Sequence, residues 1–174
     1  SNVTNMSSMF YNCSSLTTLN LGENFNTSKV TGMRAMFYGC SSLINLDLSN
    51  FNTINVTRMC GDYDNGMFEN CSSLTTLKLG ENFNTSKVTS MYAMFSGCSS
   101  LKTLDLSSFD LSKVTSCYYF LKKCTNLIEI KSPKINPKNI EWHMDWGRRE
   151  NLQQLFANNN RHKHNINKNS IKNI

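Results

Sequence analysis

The sequence predicts an α/β stack of about five strand–turn–short-helix units, on three observations. The phrase MFYNCSSLTTLNL at 9–21 returns as MFYGCSSLINLDL at 36–48, MFENCSSLTTLKL at 67–79 and MFSGCSSLKTLDL at 94–106. Its valines recur at Val3, Val30, Val56, Val88 and Val114. Each phrase joins a period-two leucine run to a run with three- and four-residue spacing. Self-similarity at about 26 residues marks units that bury an apolar face only against their neighbours.

Within the first unit, Leu16-x-x-Leu19-x-Leu21 has the alternation of a strand, because successive side chains on a strand point to opposite faces. The equivalent strands run over 43–48, 74–79, 101–106 and 127–130. Preceding each, M-x-x-M-F-x-x-C carries the spacing of one apolar helical face, about two turns long. Thr4 or Asn5 is positioned to cap such a helix at its N-terminus, and Gly22 and Asn24 supply turn chemistry after the strand.

Cys13, Cys40, Cys71, Cys98 and Cys124 share one slot on the Met/Phe face. Free thiol packs as a small hydrophobe, so the slot reads as a buried free-cysteine column. Seven cysteines, an odd number, fit a disulfide ladder poorly, and the absence of C-x-x-C argues against zinc. Cys117 replaces the methionine of Met6, Met33, Met59 and Met91. Cys60 falls in an insertion, where it is expected to be the most exposed thiol.

The template V-T-x-M-x-x-M-F-x-x-C-S-S-L-x-x-L-x-L, spread over roughly residues 1–140, resembles the BspA-like bacterial surface-protein repeat. That divergent leucine-rich repeat occurs in surface proteins and lipoproteins of host-associated bacteria and mycoplasmas, with related repeats in parasitic protists. The resemblance implies a right-handed leucine-rich-repeat solenoid, adhesion to host matrix or cell-surface proteins, an extracellular location and no catalytic residues.

Composition bounds the remaining possibilities. The 174 residues are 39% hydrophobic and 17% charged, with a net charge of +6, and no apolar run approaches the length of a transmembrane helix. The first residues already sit inside a repeat, so the chain reads as a fragment whose export signal, if any, lies upstream. Residues 1–121 carry seven Lys or Arg against eight acids, and 122–174 carry eleven against four. The basicity therefore belongs to the tail, and the repeat region gives no nucleic-acid signal.

The repeats decay from Leu111, as a capping unit does. The expected division is 1–140 for the repeat domain, with its cap from about 111, and 141–174 for a basic, flexible, low-complexity tail. One short amphipathic stretch, 149–156, lies in that tail. So do His143, His162 and His164, which imply no fixed metal geometry.

In the third unit, seven residues, CGDYDNG at 60–66, stand where other units have two. Asp62 and Asp64 invite a calcium-loop reading, but the fifth, sixth and twelfth positions hold Gly66, Met67 and Ser73 rather than a ligand, glycine and acid. A solvated bulge is expected instead. Residues 12–37 and 70–95 differ only at Asn20/Lys78, Gly32/Ser90 and Arg34/Tyr92, the trace of a duplicated pair of units. The seven N-x-S/T sequons, at Asn2, Asn5, Asn12, Asn26, Asn55, Asn70 and Asn84, follow from the composition of the repeats and carry meaning only in a glycosylating host.

All three histidines lie outside the repeats, no glycine-rich phosphate loop occurs, and the acids form no repeated pair suited to glycoside hydrolysis. An enzyme is therefore not expected, and neither a cofactor nor a small-molecule substrate is implied. The outward strand positions form two columns of mixed polarity. One holds Thr18, Asn45, Thr76, Thr103 and Glu129; the other holds Asn20, Asp47, Lys78, Asp105 and Lys131. They are the candidate binding residues for a protein partner, although none is an aromatic anchor. Two alternatives stay open: a passive spacer in a surface protein, and anionic-polymer binding through the basic tail.

Overall fold

The computed structural model describes residues 2–62, 64–131 and 133. Four short strands form where the leucine phrases predict them: β1 (Asn45–Leu48), β2 (Thr76–Leu79), β3 (Thr103–Asp105) and β4 (Glu129–Lys131). They pair in parallel as two two-stranded sheets, β1–β2 and β3–β4. Asn45 faces Thr76 in the first sheet, and Thr103 faces Glu129 in the second. The first unit contributes no strand but two parallel bridges, Thr18 to Asn45 on the strand side and Asn5 to Gly32 on the turn side.

The α/β class is overturned: no helix occurs among the described residues. The chain does not form a leucine-rich-repeat solenoid of strand–turn–short-helix units. The segment read as helical is a run of tight turns whose hydrogen bonds leave the unit. The N–H groups of Met6, Ser8, Phe10 and Asn12 donate to the carbonyls of Gly32, Arg34, Met36 and Tyr38, at 2.7–2.9 Å. The N–H groups of Met9, Tyr11 and Cys13 close turns onto Met6, Ser8 and Phe10. Backbone donors are thus satisfied alternately in the next unit and three residues back, which leaves no ladder to the fourth residue back.

Left-handed residues punctuate the same run: Ser8 and Asn12 in the first unit (φ 59° and 55°), Ala35 and Gly39 in the second, Ala93 and Gly97 in the fourth. A right-handed helix tolerates no such angle. Turns of this length still place Met36, Phe37 and Cys40 inward, so they imitate the three- and four-residue spacing of a helical face. Asn5 caps a turn rather than a helix, its Oδ1 accepting the N–H of Ser7 at 2.9 Å.

The core is built in columns. Phe10, Phe37, Phe68 and Phe95 stack ring on ring at 5.3–5.8 Å, and Phe25–Phe51 and Phe83–Phe109 begin a second aromatic column. Met33, Met36, Leu43, Leu46 and Leu48 are shielded from solvent with them, each such side chain stabilising the fold by about 1.5–3 kcal/mol. In the first unit Phe10, Leu16, Leu19, Leu21 and Phe25 are only partly buried.

The cysteine column is a ladder. Cys40, Cys71, Cys98 and Cys124 direct their thiols at the carbonyls of Phe10, Phe37, Phe68 and Phe95, at 3.0–3.1 Å. All seven cysteines are free. Burial pushes the Cys40 thiol up to about 11 and that of Cys124 up to about 12, since the low-dielectric interior disfavours thiolate. Cys60 corrects an expectation: it is 4% exposed, not an accessible thiol. Cys60 belongs instead to the hydrophobic core, and burial pushes its thiol to about 12.

A third column was not anticipated. Thr27, Thr53 and Thr85, at most 1% exposed, each bond both backbone groups of one residue in the next unit. Thr27 pairs with Asn52, Thr53 with Asn84 and Thr85 with Asp110. Leu111, Val114, Leu121, Leu127 and Ile130 of the final unit are buried. The expected tail, 141–174, lies outside the described residues.

Candidate functional site

Every strand residue singled out for binding points away from the core. Thr18, Asn20, Asn45, Asp47, Thr76, Lys78, Thr103, Glu129 and Lys131 are exposed, and Asp105 is half-buried. The cause is the strand alternation, which turns Leu46, Leu104 and Ile130 inward and their flanking residues outward. Parallel register brings Thr18, Asn45 and Thr76 side by side, and Asp47 beside Lys78. In the other sheet Thr103 meets Glu129 and Asp105 meets Lys131. β2 and β3 belong to different sheets, so no hydrogen-bonded ladder carries either column from Thr76 to Thr103 or from Lys78 to Asp105. Asn20 turns back on its own chain, its Oδ1 accepting the N–H of Gly22.

The charges in these columns answer one another. Lys78 Nζ lies 3.3 Å from Asp47, and Lys131 Nζ lies 3.0 Å from Asp105. Asp47 is held below the usual carboxylate range first by the Ser49 hydroxyl and N–H, then by Lys78. Burial pulls Asp105 upward, but hydrogen bonds from Ser107 and then Lys131 leave it below that range. Lys131 is raised by its bond to Asp105. Exposed pairs of this kind are screened by solvent and contribute little to stability.

A second surface lies on the turn side. Residues 60–62 and 64–66 flank an anchored wall: Gly61 N–H bonds the carbonyl of Asp64 at 2.9 Å, and Ser90 Oγ donates to Gly61 O at 2.9 Å. Arg34 Nη1 holds both carboxylate oxygens of Asp64 at 3.2 Å. Gly66 donates to Glu69, whose carboxyl burial raises. Gly66 must be glycine because a Cβ would lie 2.2 Å from the backbone oxygen of Ala93. An open groove of about 760 Å³ runs beside this wall.

The turn side also carries the aromatic groups that the strand columns lack. Tyr11 stacks on Tyr38 with ring centroids 4.8 Å apart, Tyr92 meets Tyr119 edge-on at 5.5 Å, and Lys122 Nζ sits 4.1 Å over the Tyr119 ring. The inserted residues were the one sequence signal for this surface. The tyrosines gave none, since Tyr11 and Tyr38 occupy slots filled by Glu69 and Ser96 in later units.

Among the described residues, no group of three His, Cys, Asp or Glu side chains could hold a metal ion, and no helix is long and apolar enough to cross a membrane. A family model described as "Mycoplasma protein of unknown function, DUF285" matches residues 1–80 and again 63–169. No curated protein and no solved structure matches the chain.

Proposed function

We propose that this chain, which belongs to the DUF285 family of Mycoplasma proteins of unknown function, is a non-enzymatic protein-interaction module displayed at a cell surface. The observation that carries this reading is the pair of outward columns, held in register within each two-stranded sheet by its parallel ladder. A rigid frame with varied outward residues lets a partner dock without first ordering the surface it meets, which removes much of the entropic cost of binding. The resemblance of the VTxMxxMFxxCSSLxxLxL template to BspA-like surface repeats supports a host matrix or cell-surface protein as that partner and an extracellular location.

A spacer role is the second reading. It is favoured by the pairing of Lys78 with Asp47 and Lys131 with Asp105, which leaves those charges partly satisfied without a ligand. The test is binding of the full chain to immobilised host matrix proteins and to heparin across a salt series. Saturable binding that tolerates salt and is weakened by Thr76→Glu or Lys78→Glu supports the module. Binding to heparin alone, collapsing with salt, assigns the contact to the basic tail, and no binding leaves the spacer.

A further inference from the structure

We propose that the groove beside the inserted wall is a second binding site, for an extended peptide segment that carries one acidic and one basic residue. Asn5, Ser7, Arg34, Arg58, Asp62 and Asp64 line it. Its residues come from the first four units, and stacked chains lie roughly 4.8 Å apart. The groove therefore spans roughly 15 Å, the length of four to five extended residues at about 3.3 Å each.

The charges decide what fits. Arg34 is committed to Asp64. Arg58 and Asp62 form no ion pair among the described residues, and both are exposed. Arg58 occupies the slot held by Asn5, Gly32, Ser90 and Ser116 in the other units, and its bridge partner Gly32 has no side chain to cover it. Its guanidinium thus offers a fork of N–H donors matched to a carboxylate. Asp62, four residues on, asks for a cation. A polyanion such as heparin would meet Asp62 and Asp64 as well as the arginines, so the balance of two cations and two acids selects a segment of mixed charge.

Gly61 and Asp64 are each tied to a neighbouring unit. Gly61 cannot carry a side chain, because a Cβ there would lie 2.6 Å from the Asp64 carbonyl oxygen and closer still to its carboxylate. Arg34 of the second unit holds Asp64, and Ser90 of the fourth unit holds Gly61. The site does not involve the strand columns, so it stands or falls independently of the reading above.

The test is selection of a displayed random-peptide library on the immobilised full chain. Affinities of the enriched peptides are then measured for the wild type, Arg58→Glu, Asp62→Lys and the double variant. Both side chains are exposed, and thermal unfolding verifies that each variant is folded. The proposal expects enriched peptides with an acidic and a basic residue a few positions apart. It also expects roughly tenfold weaker binding to Arg58→Glu and recovery in the double variant of peptides with the charge order exchanged. Failure to enrich any peptide overturns it, as does equal binding to wild type and Arg58→Glu, or competition by heparin at Arg58.

Discussion

The Thr53 hydroxyl bonds both backbone groups of Asn84 in the next unit, accepting its N–H at 2.6 Å and donating to its carbonyl at 2.7 Å. Thr53→Val keeps the shape and removes the hydroxyl, leaving the N–H and carbonyl of half-buried Asn84 without it, at about 1–2 kcal/mol each. The expected loss is about 2–4 kcal/mol, read as a lowered urea midpoint with unchanged m-value. Thr53→Ser keeps the hydroxyl and should lose only the methyl contribution, about 1 kcal/mol.

Thiol reactivity should be graded along the stack. Cys13, half-buried in the first unit, is the only cysteine that is not buried. With iodoacetamide at pH 8, mass spectrometry should find Cys13 modified first and Cys40, Cys71 and Cys98 protected until denaturant is added, because thiolate is the reactive form. Early labelling of Cys60 would show that the inserted loop opens.

Stability should fall in alkali. The six buried thiols have folded pKa values raised by desolvation, to about 11 for Cys40, to about 12 for Cys60, Cys117 and Cys124, and upward for Cys71 and Cys98. Above the unfolded value, about 8.5, the unfolded chain releases protons that the folded chain retains. The stabilisation is therefore complete below that pH and is lost as pH rises toward 11–12. The slope approaches about 1.4 kcal/mol per pH unit for each buried thiol. Urea unfolding at pH 8, 9 and 10 measures it, and Cys117→Ala should make the slope shallower by one thiol.

Asn70 and Gly97 should prove energetically coupled. Gly97 has φ +77°, and a Cβ there would lie 2.4 Å from Asn70 Oδ1. Gly97→Ala is expected to cost about 1–2 kcal/mol for the left-handed backbone alone, plus the displacement of Asn70. Asn70→Gly should relieve the clash but not the backbone term. A double-mutant cycle of unfolding free energies should therefore give a coupling of at least about 0.5 kcal/mol, whereas additivity would mean that the asparagine moves aside freely.

That contact also accounts for the alternation of Asn12, Gly39, Asn70 and Gly97 in one slot. Each asparagine amide overlies the glycine of the following unit, so a physical pair, Asn12 with Gly39 and Asn70 with Gly97, recurs at the same two-unit separation that relates 12–37 to 70–95. The outward strand residues were legible because strand alternation is local. The ion pairs of Asp47 and Asp105 were not, because register between units is set by the stack. Arg58 gave no signal alone, since it stands out only when Gly32 beside it is bare and Asp62 and Asp64 line the same groove.

What the sequence determined by itself was the repeating unit: its period, its inward leucines, its cysteine slot and its outward polar columns. All follow from the local rule that apolar side chains recurring in a fixed pattern must face one way. Only the tertiary structure decided that M-x-x-M-F-x-x-C is a run of turns and not a helix, and that Cys60 is buried. In both cases the deciding partner is distant in the chain. The N–H groups of Met6, Ser8, Phe10 and Asn12 find their acceptors 26 residues away, and spacing along one segment cannot reveal where its backbone hydrogen bonds will go.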